Sequence, residues 1–148
     1  MTRQATRIRS AEARSIRNFR LILSVLCVGA IADNIYLAHE YTTQNFSSCN
    51  LNSYISCGTV ALSGHTSLFG VPFWAMGLAY FPLIILVGWF LSKEILILLL
   101  LVGDIFTTYL WFLELAVIHA VCPLCVSLYG FNYVLTAIVA VYLFRSYK

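Results

Sequence analysis

The sequence predicts an all-α membrane protein: a four-transmembrane-helix bundle with a cysteine-bearing extracytoplasmic loop between helices 1 and 2. Three observations predict it. Of 148 residues, 61% are hydrophobic and only 10% charged, and mean hydropathy is +0.86. A soluble domain averages roughly 25% charged residues. The apolar residues gather into runs longer than the ~18 that mark a membrane span. Arg3, Arg7, Arg9, Arg14, Arg17 and Arg20 precede the first run, Lys93 lies in the middle break, and Arg145 and Lys148 follow the last run. Four crossings bring both termini and the middle break to one face, so all 9 basic residues share the cytoplasmic side, as the positive-inside rule expects.

The formal charge of +3 is therefore a topology signal. It suits contact with anionic lipid headgroups and argues against nucleic acid as a partner. Residues 1–18 form a basic cytoplasmic arm ahead of one four-helix unit over 19–148. The arm does not read as a cleavable signal peptide: it is long, and the apolar run behind it shows no small-residue cleavage site.

Helix one is expected from Phe19 to Tyr41, turning more polar after Asp33. Thr42 to Gly70, rich in Ser, Thr, Asn and Gly, reads as a far-side loop with short helical turns. Helix two should run from Val71 to Leu91, with Pro72 in its first turn. Ser92, Lys93 and Glu94 make a tight cytoplasmic turn, so helices two and three should be antiparallel neighbours. Helix three extends from Ile95 to about Ala120, and helix four from Cys122-Pro123 to about Phe144.

Five cysteines carry the chemistry. Cys49 and Cys57 lie in the far-side loop, and Cys122 and Cys125 form Cys-Pro-Leu-Cys where helix four begins, so both pairs face a compartment that permits disulfides. Pro123 belongs at the first helical position, which makes Cys122 the N-cap and Cys125 the third residue of the first turn. Unpaired backbone N–H groups and the helix dipole stabilise a thiolate there, and the thiolate is the species that attacks in thiol–disulfide exchange. An inert staple is the alternative, but the loop such a bridge closes is too small to stabilise much. A four-cysteine zinc site usually draws on two close pairs; here the first pair is widely spaced, so no metal is expected. Cys27, alone inside helix one, reads as a small buried hydrophobe.

At 3.6 residues per turn, Cys122, Cys125, Tyr129 and Asn132 fall on one stripe of helix four. A phenol and a carboxamide are costly against lipid. Facing inward, they either hold the carbonyl oxygens of a quinone or bond neighbouring helices.

These residues resemble the vitamin K epoxide reductase family, particularly its bacterial-type members. The resemblance covers nearly all of the chain after Phe19. It rests on the loop pair Cys49 and Cys57, on Cys122-Pro123-Leu124-Cys125 entering the last helix, and on Ser63 and Tyr129 at the positions of the family's quinone-site serine and tyrosine. Tyr109 to Glu114, leading through Ile118-His119-Ala120, and Leu68-Phe69-Gly70-Val71-Pro72 are also similar to that family. The resemblance implies a bundle around a quinone (ubiquinone, menaquinone or related) in a bacterial-type plasma membrane. Cys49 would meet a thioredoxin-like partner, Cys57 would attack Cys122, and Cys125 would lie against the quinone, with Ser63, Tyr129 and Asn132 as quinone contacts. Many bacterial-type relatives carry the thioredoxin-like domain on the same chain; none is seen before Lys148, so a separate redox protein is expected.

Asp33, Asn34, Asp104 and Glu114 lie at membrane depth; the three carboxyls should face the interior or carry a proton, and interhelical hydrogen bonding is the alternative role for Asp104 and Glu114. Glu114 and His119 are candidate proton donors. The alternatives to a quinone-reducing thiol oxidoreductase are an epoxide reductase of the endoplasmic reticulum and a non-enzymatic membrane scaffold with structural disulfides.

Overall fold

A computed structural model describes residues 2–146, with side chains from Ala13 to Arg145. The side chains of Arg3, Arg7 and Arg9, and Lys148, lie outside the described residues. Four helices are long and apolar enough to cross a membrane: Ala13–Thr43, Phe73–Phe90, Lys93–Ile118 and Pro123–Arg145. The chain is an all-α, multi-pass membrane protein with its cysteine loop between the first two spans.

Helix α1 runs from Thr2 to Thr43, so it begins well before the expected Phe19. The arm is continuous with the first span because Thr2–Asn18 contains neither Gly nor Pro to interrupt it. The span of 31 residues is about 46 Å long, more than the ~30 Å hydrocarbon thickness, so its ends project beyond the apolar layer. Within the loop, α2 covers Cys57–Leu62, capped by the Ser56 hydroxyl, which accepts from the Thr59 amide.

Strands β1 (Ser67–Leu68) and β2 (Val71–Pro72) form a two-residue hairpin. Its turn residues, Phe69 and Gly70, both have positive φ (52° and 82°), the turn whose twist matches paired strands. This corrects the expected start of helix two. Val71 and Pro72 are spent in the hairpin, the Phe73 amide donates to Thr66 O at 3.0 Å, and α3 runs Phe73–Phe90 with Pro72 just outside it.

Helix α4 spans Lys93–Phe112 and continues as a π-helical turn over Leu113–Ile118. Helix α5 runs Pro123–Ser146, starting where Pro123 placed it. The α3–α4 turn is as tight as expected, yet α3 packs most extensively on α1, while α5 touches both α1 and α4.

Two clusters of buried residues occupy the bundle. The inner one joins Leu23, Cys27, Phe81, Ile84, Leu100 and Leu135 among others. The outer one joins Leu37, Phe46, Val60 and Ala120 with Cys49, Cys57 and Cys122. Large apolar residues such as Val25, Phe90, Ile105 and Phe144 are exposed, the outward surface expected against lipid.

Helix α3 has an internal support. The Asn34 carboxamide, oriented to satisfy both neighbours, donates to Trp74 O and accepts from Leu78 N, each at 3.1 Å. Trp74 O and Leu78 N are i and i+4 partners, so a side chain of α1 bridges a backbone bond of α3. A Cβ at Gly77 would collide with that carboxamide.

Candidate functional site

Three of the five cysteines meet at the outer end of the bundle, and backbone pairing brings them there. Segment 54–56 pairs with Val121: Val121 N donates to Tyr54 O at 2.8 Å, and Ser56 N donates to Val121 O at 3.0 Å. Because Cys57 follows Ser56 and Cys122 follows Val121, their side chains are delivered to each other. The Asn50 carboxamide oxygen fixes the same corner by accepting from Ser56 Oγ at 2.9 Å and Gly58 N at 3.0 Å.

Cys49 and Cys57 form a disulfide. Cys122 is a free thiol whose sulfur lies 3.1 Å from Cys57 Sγ. Sulfur one therefore bonds sulfur two, and sulfur three lies against sulfur two. The three ligand atoms fall within 4.8 Å of one another, a spacing that would also suit a metal ion. A disulfide, however, offers no thiolate, so in this state the cluster has one anionic ligand at most.

Cys122 caps α5 as its sequence position implied. Its Sγ accepts from Cys125 N at 3.3 Å and its carbonyl from Val126 N at 3.0 Å. Cys122 is fully buried, whereas the Cys125 side chain is half-buried and lines a cavity of about 420 Å³. That volume is in the range of small-molecule sites. Trp74, Tyr80, Phe106, Leu110 and Leu128 make its walls, with Cys125, Tyr129, Glu114 and Asn132 as the reactive or polar groups. A largely apolar slot with a few convergent polar groups beside a thiol has the character of a small-molecule site.

The stripe predicted on helix four is present, and its two polar members both line the cavity and bond neighbouring helices. Tyr129 lines the cavity and donates to Glu114 Oε1 at 2.7 Å. Asn132 lines it too, accepting from the Tyr80 hydroxyl at 2.9 Å and donating to Asp104 Oδ1 at 2.6 Å. Trp111 meets Tyr129 edge-on, with ring centroids 5.8 Å apart.

Glu114 joins the halves of the site. Its Oε2 accepts from Cys122 N at 3.2 Å, so one carboxyl touches both the cap of the reactive helix and the cavity phenol. The π-helical turn puts it there. In that turn the Glu114 carbonyl accepts from Ala120 N at 3.1 Å, and His119 closes it in the left-handed region. Such turns recur at functional sites.

Two expected residues lie elsewhere. Ser63 is not among the lining residues: it ends α2, its hydroxyl donates to Val60 O at 2.7 Å, and His65 and Thr66 reach the cavity instead. A serine at the C-terminus of a short helix has the carbonyls of the last turn within reach, which accounts for the difference. His119 is exposed, its Nδ1 near Leu115 O, and is not among the residues lining the cavity. Sequence reading also missed Glu40, a buried carboxyl that accepts from Ser48 Oγ at 3.0 Å and ties the Cys49 loop to α1. Its position one residue from Tyr41, near the expected helix end, gave no sign of burial.

No curated protein matches the chain in a sequence comparison. The family model for the vitamin K epoxide reductase family matches residues 21–140. That stretch holds both cysteine pairs, the π-helical turn and every polar residue of the cavity, so the chain belongs to the vitamin K epoxide reductase family of membrane redox enzymes.

Proposed function

We propose that this enzyme oxidises a thioredoxin-like protein and passes the electrons to a quinone, generating disulfides for other proteins. The observation that carries this reading is the continuous line Cys49, Cys57, Cys122, Cys125, which ends in an apolar cavity.

Two partner thiols reduce the Cys49–Cys57 disulfide and become a disulfide themselves. Cys57 thiolate attacks Cys122 of a Cys122–Cys125 disulfide, forming the Cys57–Cys122 bond and releasing Cys125 as thiolate. Cys49 then attacks Cys57, restoring the loop disulfide and releasing Cys122. The reduced Cys122 and Cys125 give two electrons and two protons to a quinone, and their disulfide forms again. An oxidised loop pair beside two free thiols, as here, corresponds to the moment before quinone reduction.

Cys125, on the cavity wall, is the thiol that meets the quinone. Tyr129 orients a quinone oxygen by turning its one hydroxyl hydrogen from Glu114 to that oxygen, and Glu114, its partner in this structure, supplies or receives the proton. Cys49 is only 5% exposed, so the partner's thiol gains access when the segment around Phe46 and Cys49 opens. The basic arm is cytoplasmic and both cysteine pairs are extracytoplasmic, with the plasma membrane as the site of action and the partner a separate polypeptide.

The test is direct. Purified protein mixed with a reduced thioredoxin-like protein and a soluble quinone should lower the quinone absorbance in step with partner oxidation. Cysteines that remain fully oxidised whatever the quinone supply would make the protein a scaffold and overturn the reading.

A further inference from the structure

The sulfurs of Cys49, Cys57 and Cys122 lie within 4.8 Å of one another, and more than the loop disulfide holds them there. Each cysteine has a neighbour tied by hydrogen bonds that do not involve sulfur. Cys49 and Asn50 donate their amides to Phe46 O at 3.1 and 3.0 Å. The Asn50 carboxamide oxygen accepts from Ser56 Oγ and Gly58 N, the residues on either side of Cys57. Ser56 N donates to Val121 O at 3.0 Å, one residue before Cys122. Reducing the bond between Cys49 and Cys57 breaks none of these. The reduced loop pair therefore offers two thiols beside a third.

We propose that these three cysteines, once reduced, form a binding site for a soft monovalent cation, Cu(I), held by three sulfurs. All three are buried, and Leu37, Phe46, Val60 and Ala120, which pack with them, have apolar side chains. Thiolates select soft ions over Mg2+, Ca2+ or Mn2+. Coordination number then decides among the soft ions. Structural zinc takes four protein ligands in a tetrahedron. Among the described residues, no His nitrogen, carboxylate oxygen or fourth sulfur joins the group within that distance. Cys125, on the cavity wall, stays outside it. Three sulfurs without a fourth ligand suit Cu(I) better than zinc. On binding, three Cu–S bonds form and three S–H bonds break. The protons leave to solvent, copper stays Cu(I), and no sulfur changes oxidation state. The Cys125 amide, donating to Cys122 Sγ at 3.3 Å, offsets part of the negative charge on that sulfur. The ion is a ligand of the reduced state rather than a resident cofactor. It ties up every sulfur through which the two pairs exchange, so it halts the relay until it is removed. The inference goes beyond quinone reduction and needs only that the loop disulfide be reducible.

The experiment uses the full chain in detergent, reduced with dithiothreitol and desalted without oxygen, with Cu(I) buffered by bicinchoninate as the probe. Reduced protein should take one Cu(I) from the chelator, and X-ray absorption should show copper with three sulfur neighbours. Protein with the loop disulfide intact should take none. Cys49→Ser, Cys57→Ser and Cys122→Ser should each weaken binding by about a hundred-fold or more, beyond the cost of losing a group that only supports a ligand. Cys125→Ser and Cys27→Ala should bind as the wild type does. Circular dichroism of each variant separates a lost ligand from a lost fold, and the comparison of oxidised with reduced wild type needs no variant. Equal uptake by the oxidised and reduced forms overturns the inference. Undiminished affinity in any of the three serine variants, a fourth ligand on copper, or Zn2+ held more tightly than Cu(I) also overturns it. Reduced protein that binds Cu(I) as expected but reduces no quinone overturns the proposed function alone. Normal quinone turnover without Cu(I) uptake by the reduced form overturns this inference alone.

Discussion

Cys27 and Cys122 are equally buried, each 0% exposed, yet their surroundings differ in kind. Cys27 sits in the inner cluster among Leu23, Ala30, Ile84 and Leu100 and is a free thiol. Cys122 sits in the outer cluster against Cys57, its sulfur accepting from the Cys125 amide and its own amide donating to the Glu114 carboxyl. The inner half is held by apolar side chains packing inside lipid. The outer half is held by directed bonds: the Tyr54–Val121–Ser56 pairing, the Asn50 corner and the Glu114 bridge. Burial alone therefore does not make a thiol inert or reactive; the partner sulfur and the orienting polar groups do.

The largest expected effect separates the two cysteine environments. Cys57→Ser or Cys122→Ser should abolish electron transfer from the loop pair to the quinone, read by rapid quench and thiol labelling, with the fold retained. Cys27→Ala should leave turnover at the wild-type level and cost about 1 kcal/mol of stability, the loss of one small buried group. Slow turnover in a well-folded Cys27→Ala variant would bring Cys27 into the relay and dissolve the contrast.

A smaller effect should come from the corner that delivers Cys57. Asn50→Ala removes the acceptor for Ser56 Oγ and Gly58 N. An amide left unpaired costs about 1–3 kcal/mol, so Cys57–Cys122 exchange should slow roughly ten-fold, while quinone affinity is unchanged. Unaltered exchange would mean the Val121 pairing is sufficient by itself.

Smaller again, and on the other side of the comparison, is the cavity phenol. Tyr129→Phe removes one hydrogen bond of about 1 kcal/mol, several-fold in affinity, and should raise KM for quinone without touching exchange between the pairs. Ser63→Ala should leave that KM within experimental scatter, because its hydroxyl is turned to Val60. A KM increase for Ser63→Ala matching that of Tyr129→Phe would place Ser63 on the substrate after all.

Much of this was legible before any coordinates. Basic-residue placement and four apolar runs gave the spans, and Pro123 gave the start of α5 with Cys122 as its cap. The stripe Cys125, Tyr129, Asn132 followed from helical spacing alone. Other features depend on partners distant in sequence. The π-helical turn that aims Glu114 has no propensity signature in Leu113–Ile118. Ser63 and Thr66 look interchangeable until the hairpin at Ser67–Pro72 sets which one reaches the cavity. The Asn34 insertion into α3 needs Gly77, and the Tyr80–Asn132–Asp104 chain needs Gly103. In each case the glycine is readable, but the side chain that fills its space is not.

The central claim is that electrons cross between the pairs through Cys57 and Cys122. Replacing both outer members, Cys49→Ser with Cys125→Ser, leaves these two and Cys27 as the only cysteines. Mild oxidation in the membrane, followed by digestion without reduction and mass spectrometry, should recover the Cys57 and Cys122 peptides joined by a disulfide in nearly all molecules. Recovery of both peptides with free thiols, or of either one joined to Cys27, would contradict the account.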